Sequence, residues 1–178
     1  MIHVTPVDYA ILGLLIQAPQ SGYQIRMAFE KTALGNFSSS PGSIYPALRR
    51  LTNQGLVEKR KTPDGKGERF VITRSGTKAL HTWILAPVER KDIEKGTDLL
   101  MLRIAFMDTV NRPQAVASFL RSALSTLENY VLELEQFYRQ ASGDMLPSGR
   151  LAFEHGVALQ KATIKWLRKV CRQYPLKN

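Results

Sequence analysis

Basic side chains that could bind a polyanion are concentrated between residues 49 and 74. These 26 residues carry eight basic and three acidic side chains, a net charge of +5, which is half of the +10 of the whole 178-residue chain. Clustered lysine and arginine side chains attract nucleic acid, because they release the counterions that surround its phosphates. The alternative is a solvated basic surface without a partner. The elements that carry the charge decide between the two.

Those elements follow one another in the order of a winged helix. Residues 41–54 predict a short helix, which Asn53-Gln54-Gly55 closes, and residues 56–74 predict two strands around a turn at Pro63-Asp64-Gly65. A helix that can enter a groove of double-stranded DNA, followed by a basic hairpin that can lie along the phosphates, is a DNA-binding layout. The sequence therefore predicts an N-terminal winged helix-turn-helix.

The helix at 41–54 has two distinct faces. Ile44, Leu48 and Leu51 recur at helical spacing and predict its core stripe. At about 100° per residue, the opposite face holds the candidate DNA contacts. These are Gly42, Pro46, Arg49 and Asn53, flanked by Ser43, Tyr45 and Arg50, with Ser40 at the opening of the helix. Pro46 has two compatible interpretations, a residue that fixes the helix start and a rigid apolar contact with DNA.

The predicted hairpin carries a second set of candidate contacts. Phe70 and Ile72 alternate inward with more polar neighbours, as expected of a strand with one buried face. We expect the basic side chains of the hairpin to contact phosphates without reading base identity. They are Lys59, Arg60, Lys61, Lys66 and Arg69.

The C-terminal part predicts long helices with wide apolar stripes. Between residues 116 and 141, apolar residues keep alternating steps of four and three over four heptads, and residues 153–174 carry two such seams side by side. An antiparallel pair with this much apolar surface needs a further partner, so we expect a homodimer, to which the apolar first helix also contributes. The predicted dimer residues are Leu12, Leu15, Leu127, Leu134, Ile164, Leu167 and Cys171.

The predicted fold is mainly α with one small β-hairpin, in two domains. Residues 1–87 form the winged-helix domain, the polar residues 88–96 form a linker, and residues 97–178 form a helical dimerisation domain that could also sense an effector. No 18-residue apolar run is found in the sequence, and residues 1–6 lack the basic region of a secretory signal, so we expect neither a membrane-spanning helix nor a signal peptide. With a single cysteine, Cys171, a reducing compartment fits, and we expect a cytoplasmic protein.

Motifs of catalysis and metal binding are absent from the sequence. His3, His81 and His155 have no ligand-like neighbours, and no glycine-rich phosphate loop or nucleophile elbow occurs. We therefore expect no metal, no cofactor and no enzymatic activity. Cys171 lies on the apolar seam, where packing is a simpler role than redox sensing.

Five segments resemble the PadR family of transcriptional regulators: residues 9–15, 21–25, 40–51, 55–57 and 73–76, together with Leu80. Residues 40–51 form the most specific of these, and the helical remainder resembles the longer subgroup with a virulence-activator-like C-terminal domain. The resemblance implies a homodimeric, usually repressing regulator that responds to a small aromatic or hydrophobic effector. It also implies that Tyr23, Ser43, Tyr45 and Pro46 lie at the DNA. Phe70 departs from the tyrosine often found there, so a hydroxyl contact is absent.

Two other classes of function compete with this prediction. One is an enzyme whose site assembles from scattered residues. The other is a scaffold or anionic-membrane-surface protein, which would use the basic side chains of the last helix. These are Lys161, Lys165, Arg168, Lys169, Arg172 and Lys177.

Overall fold

A computed structural model describes residues 4–37, 41–62, 65, 67–94 and 96–175. Over these residues the chain is helical apart from one antiparallel hairpin, as predicted. The helices are α1 (Pro6–Gln17), α2 (Gly22–Lys31), α3 (Pro41–Asn53), α4 (Arg74–Leu85), α5 (Asp98–Phe106), α6 (Pro113–Ala141) and α7 (Pro147–Gln173), and the strands are β1 (Val57–Lys61) and β2 (Glu68–Ile72). Short 3₁₀ helices lie at Ala33–Asn36, Arg90–Asp92 and Met107–Val110.

Two compact units make up the chain. Unit 1 comprises Met1–Ile84 and Met101–Thr109, and unit 2 comprises Leu85–Leu100 and Val110–Asn178. Residues 101–109 therefore differ from the predicted division, which placed them in the C-terminal domain. The reason is packing: the Phe106 ring lies against Gly13 of α1, where any Cβ would come within 2.3 Å of it. Buried Arg103 also donates to the Ile84 carbonyl at 3.1 and 2.9 Å.

The first two helices of unit 1 begin at the predicted caps. The Thr5 hydroxyl accepts from the Asp8 amide at 3.4 Å, and the Asp8 carboxylate accepts from the Thr5 amide at 2.8 Å. Ser21 and Gln24 make the same reciprocal capping box at the start of α2. Both caps satisfy amides that have no partner within the helix, so the starts of α1 and α2 are fixed locally.

Helix α3 has the predicted core face. Ile44, Leu48 and Leu51 are all buried, at no more than 1% exposure. Gly55 ends the helical segment with a φ of 67°, a left-handed conformation that glycine adopts without steric cost. The Leu56 amide then donates back to the Leu51 carbonyl at 3.0 Å, which sends the chain directly into β1.

The hairpin pairs Val57 with Ile72 and Lys61 with Glu68. An isolated β-bridge, which the sequence did not predict, joins Gln20 to the hairpin, because Gln20 and Phe70 exchange two backbone hydrogen bonds of 3.2 and 2.8 Å. Helix α4 begins at Arg74, and the Thr73 hydroxyl accepts from the Gly76 amide at 3.0 Å. The predicted cap at Ser75 is therefore wrong by two residues.

Unit 2 is built on the antiparallel pair of α6 and α7. Their ion pairs cross from one helix to the other, with Glu128 to Arg168 at 2.8 Å and Glu135 to Lys161 at 2.6 Å. Between them lies a buried apolar seam that includes Val116, Leu120, Ala123, Leu127, Val131, Ile164, Leu167 and Val170. The predicted helical pair is confirmed over the described residues.

The segment 88–96 is packed within unit 2, which corrects its prediction as a linker. Val88 and Ile93 are 5% and 0% exposed, and the Thr126 hydroxyl of α6 donates to the Val88 carbonyl at 3.0 Å. Arg90 pairs with both Glu94 and Glu133. Although most residues of this segment are charged, its two buried apolar residues, Val88 and Ile93, pack it within unit 2.

Most of the predicted dimer residues are covered within the single chain. Leu127, Ile164 and Leu167 lie in the α6–α7 seam, and Leu12 and Leu15 are buried in unit 1. None of these five residues is more than 7% exposed. Because these five residues are buried within the chain, they leave little surface for a partner, and their place in a dimer stays a prediction. Leu134 and Cys171 are half-buried.

Candidate DNA-binding surface

The outward face of α3 is exposed as the sequence predicted. Gly42, Tyr45, Pro46, Arg49 and Asn53 are all exposed, and Ser43 is half-buried. Ser40 lies outside the described residues. Because Ile44, Leu48 and Leu51 hold the other face in the core, this helix can present its outward face to a groove without unfolding. We call these five exposed residues the α3 contact face.

Tyr23 of α2 is a second exposed tyrosine, in addition to Tyr45 of the α3 contact face. Tyr23 is 60% exposed and Tyr45 is 47% exposed, although large aromatic side chains usually lose most of their exposure on folding. A Cβ at Gly22 would lie 2.9 Å from Tyr45 Cε1, so the absence of a side chain at this position makes room for the ring. Gly22 was not among the predicted site residues, because its contact with Tyr45 joins residues 23 positions apart and has no local signal.

Arg26 is a further cation beside these rings that the sequence analysis did not single out. Its guanidinium lies 5.4 Å from the centroid of the Tyr23 ring and pairs with Glu30 at 2.9 Å. Cation–π contact and an ion pair one turn away both restrain a side chain that is otherwise mobile. Arg26 therefore places a positive charge next to the exposed face of Tyr23.

Pro46 lies inside α3, which removes one of its two interpretations. The helix begins five residues earlier, at Pro41, so Pro41 occupies the first-turn position that favours proline. An interior proline costs about 3 kcal/mol in an ordinary helix. A role for Pro46 in fixing the helix start is therefore wrong, and its exposed position favours the interpretation as a contact.

Arg50 does not share the outward position of Arg49. Its Nε donates to Asp8 Oδ2 at 3.1 Å and its Nη2 donates to Asp8 Oδ1 at 2.7 Å. Asp8 is fully buried at 0% exposure. The guanidinium of Arg50 is therefore engaged with α1, and its role as a DNA contact stays a prediction.

The hairpin contributes a charged surface that is partly neutralised by its own acids. Lys59 pairs with Glu68 at 3.2 Å, and Arg60 Nε donates to Glu58 at 2.7 Å. Lys61 and Arg69 are exposed and have no ion-pair partner among the described residues; Lys66 lies outside them. Exposed pairs are weak, so Lys59 and Arg60 remain available to phosphates at little cost. The ammonium group of Lys59 also lies 5.6 Å from the centroid of the Phe70 ring, so the two side chains make a cation–π contact.

The basic side chains of α7 are less free than their sequence suggests. Lys161 and Arg168 pair with Glu135 and Glu128 of α6, while Lys177 lies outside the described residues. Within the described part of the chain, no helix is long and apolar enough to cross a membrane. Nothing in this arrangement favours a membrane-surface role over DNA binding.

The residues considered for metal or redox chemistry are separated in the fold. No group of three histidine, cysteine, aspartate or glutamate side chains is placed to hold a metal among the described residues, which exclude His3. Burial raises the pKa of the Cys171 thiol above its ordinary value, outweighing the opposing charge of Arg121. The thiol therefore stays protonated at neutral pH, as expected of a packing residue.

Comparison with known proteins identifies the family to which this chain is similar. The profile of the transcriptional regulator PadR-like family matches residues 11–82. The chain is 31% identical over 176 residues to the negative transcriptional regulator PadR of Bacillus subtilis, covering 92% of this chain and 94% of that protein. It is 36% identical over 70 residues to the transcriptional regulator YqjI of Escherichia coli, covering 39% of this chain and 33% of that protein.

Among solved structures, the chain is similar to Bacillus subtilis PadR in complex with operator DNA, at 27% identity and a TM-score of 0.41 over 94% of this chain and 98% of that one. The complex of the same protein with p-coumaric acid gives 26% identity and a TM-score of 0.43 over 96% and 99% of the two chains. On the family profile and the near full-length similarity in sequence, the chain belongs to the PadR-like family of transcriptional regulators.

Proposed function

We propose that this regulator is a sequence-specific DNA-binding repressor. The observation that carries the proposal is the α3 contact face, where Tyr45, Pro46 and Arg49 are exposed on a helix whose opposite side is fully buried. Helix α3 would enter the major groove and read base edges, and Lys61 and Arg69 of the hairpin would contact phosphates. Repression is proposed from the 31% identity to a protein named a negative transcriptional regulator. The protein would act in the cytoplasm.

We extend the proposal to a homodimer that binds a palindromic or nearly palindromic operator. A single short helix makes few base contacts, so two half-sites are needed for tight binding. The surface that supports a dimer is the outer face of α7, where Leu159 and Trp166 are 56% and 41% exposed, two helical turns apart. Exposed apolar side chains in such a stripe mark a surface for association.

A small effector completes the proposed mechanism of release. A groove of about 400 Å³ lies between α6 and α7 and is lined by residues that include Tyr138, Phe153 and Lys161. The two rings are stacked with centroids 5.2 Å apart, and Tyr138 hydrogen-bonds to Glu154. Such a surface suits a small aromatic or hydrophobic molecule. A thermal-shift screen of such compounds, with Phe153→Ala as the control, tests this part separately.

The experiment that tests the main proposal is selection of bound sequences from a pool of random DNA. A sequence-specific dimer should enrich a consensus with two inverted half-sites, centred about 10 base pairs or a multiple of that apart. Enrichment of one unrepeated half-site would support DNA reading and overturn the dimer. If no sequence is enriched while the protein binds DNA in a purely salt-dependent way, the proposal of sequence-specific recognition is wrong.

A further inference from the structure

The ion pair between Arg50 and Asp8 joins the last turn of α3 to the first turn of α1. Its two hydrogen bonds, of 3.1 and 2.7 Å, run from two guanidinium nitrogens to the two carboxylate oxygens. The Asp8 side chain is 0% exposed and that of Arg50 is 37% exposed. Paired bonds of this kind fix the relative orientation of the two groups as well as their distance.

Asp8 is itself held rigidly within unit 1. The amide and the hydroxyl of Thr5 both donate to its Oδ2, at 2.8 and 2.9 Å. The next residue, Tyr9, stacks on Trp83 of α4 with ring centroids 4.2 Å apart and planes 5° apart. The carboxylate is therefore a fixed reference point, and Arg50 attaches α3 to it.

The apolar anchors of α3 resist separation better than they resist rotation. They include the buried side chains of Ile44, Leu48 and Leu51, and apolar contact has no preferred direction. Side chains extend about 6 Å from a helix axis, so a rotation of roughly 10° moves their ends by about 1 Å. A binding constellation tolerates only about 0.5 Å, so rotation of α3 decides whether Tyr45 and Arg49 meet their targets.

Stability alone gives a poor explanation of this pair. Removing the Asp8 carboxylate from water costs free energy that offsets much of its attraction to Arg50, and a well-packed apolar pair is often at least as stable as a buried ion pair. The best-attested use of buried ionic groups is to fix one register or orientation among several. The neighbouring residues Arg49 and Arg50 differ in this respect. The side chain of Arg49 is exposed, whereas that of Arg50 bonds to Asp8 of α1.

We propose that Asp8 and Arg50 are positioning residues that set the rotation of α3, so that Arg50 governs sequence discrimination without touching DNA. The inference rests on the proposed function, in which α3 reads bases. A direct contact by Arg50 predicts a different outcome, because Asp8 would then be dispensable for recognition. Mutating Asp8 and Arg50 one at a time therefore distinguishes the positioning role from direct contact.

The test compares Asp8→Asn with Arg50→Lys in the full-length protein. Lysine keeps the charge but cannot make the paired bonds of a guanidinium. Affinity is measured for the DNA selected by the wild-type protein and for random DNA, at one salt concentration. We expect each variant to lower the ratio of the two affinities about tenfold, with random-DNA binding nearly unchanged for Arg50→Lys. Arg90→Lys, which alters an exposed ion pair in unit 2, is the matched control and should keep the wild-type ratio.

The double variant and the sign of the Asp8 effect sharpen the result. If the two residues act as one unit, Asp8→Asn with Arg50→Lys should be no worse than either change alone. Asp8→Asn also removes a negative charge, and the more positive net charge should strengthen binding to any DNA. Loss of discrimination in Arg50→Lys alone, with an unchanged or improved Asp8→Asn protein, would overturn the proposal in favour of direct contact. Should Asp8→Asn fail to fold, Asp8→Glu keeps the charge and displaces it by one methylene.

Amide hydrogen exchange on the free protein keeps the inference separable from the proposed function. Both variants should exchange faster along α3 than wild type, while α6 is unaffected. If wild-type protein selects no DNA sequence, the proposed function fails, and faster exchange along α3 would still support the orienting role of the pair. Unchanged exchange along α3 in both variants would overturn that role whatever the DNA result.

Discussion

Helices α3 and α7 are both amphipathic, but they use their exposed sides differently. Helix α3 has one apolar stripe, which is fully buried, and its other side carries Tyr45, Pro46 and Arg49. Helix α7 has two apolar seams, of which one packs on α6 through Leu167 while the other leaves Trp166 exposed. A single stripe can face only the core. With two stripes, periodicity alone does not tell which one stays inside the chain.

Charge follows the same division. On α3, Arg50 is paired with the buried Asp8 of α1, whereas Arg49 is exposed. On α7, acids of α6 take up Lys161 and Arg168, so much of its basic character serves to join the two helices. A count of basic residues therefore overestimates the charge available to a partner, and more so on α7 than on α3.

The largest effect should come from placing a charge in the inner seam of α7. Leu167 is 0% exposed, so Leu167→Glu would bury a carboxylate without a partner and destabilise unit 2 by more than about 4 kcal/mol. Its neighbour Trp166 is 41% exposed, so Trp166→Glu should destabilise the folded subunit much less than Leu167→Glu does. Thermal melts of the two variants check this contrast.

The same two variants test the dimer face. Trp166→Glu should sediment as a folded monomer and lose tight operator binding, because the outer seam is the proposed contact. A folded Trp166→Glu protein that remains dimeric would move the contact to another surface. A well-folded Leu167→Glu protein would contradict the burial on which the comparison of the seams depends.

A smaller but still large effect is expected on the inner face of α3. Leu48→Ala removes a fully buried side chain and should lower the free energy of unfolding by about 2–5 kcal/mol. Tyr45→Ala, three residues earlier on the contact face, should cost less than about 1 kcal/mol of stability. It should instead weaken specific DNA binding by about 1–3 kcal/mol. Denaturant unfolding and binding titrations measure the two effects, and equal losses of stability would contradict the facing of α3.

How far the sequence predicted the molecule depended on the range of the contacts involved. The caps at Thr5 and Ser21, the hairpin and the buried stripe of α3 follow from residues a few positions apart, and all were predictable. The pairing of Asp8 with Arg50 joins residues 42 positions apart. Local propensity carries no information about such contacts, so Arg50 was interpreted from its place on a helical wheel alone.

Long-range packing also explains the errors in domain division. Residues 101–109 read as the start of a helical domain, and the fit between Phe106 and Gly13 that places them in unit 1 has no local signature. The segment 88–96 appeared to be a linker because six of its nine residues are charged, whereas Val88 and Ile93 decide its packing. Composition predicts exposure on average, but two buried side chains are enough to dock a short segment.

The hairpin should give a moderate, salt-dependent effect that distinguishes it from the α3 contact face. Lys61→Gln combined with Arg69→Gln should weaken binding to selected and random DNA alike. The slope of log K against log salt should fall by about one to two units, since each phosphate contact contributes about 0.9. Lys78→Gln, an exposed lysine on α4, is the control and should leave the slope unchanged. Weakened binding to the selected DNA alone would show that these side chains read bases.

The smallest expected effect compares one tyrosine from each unit at alkaline pH. Burial, and next the charge of Asp8, raise the pKa of Tyr9 above its ordinary value of 10.0, whereas Tyr138 has its pKa raised first by its hydrogen bond to Glu154. Because both pKa values are higher in the folded protein, each residue contributes stability that is complete below pH 10 and is lost as pH rises through its folded pKa. Ultraviolet titration of Tyr9→Phe and Tyr138→Phe variants assigns the two ionisations. Glu154→Ala should bring the pKa of Tyr138 back toward 10, because its hydrogen bond to Glu154 is the largest cause of the rise, and should leave the pKa of Tyr9 unchanged. A Glu154→Ala protein in which Tyr138 keeps its raised pKa would contradict the assignment of the hydrogen bond as the main cause.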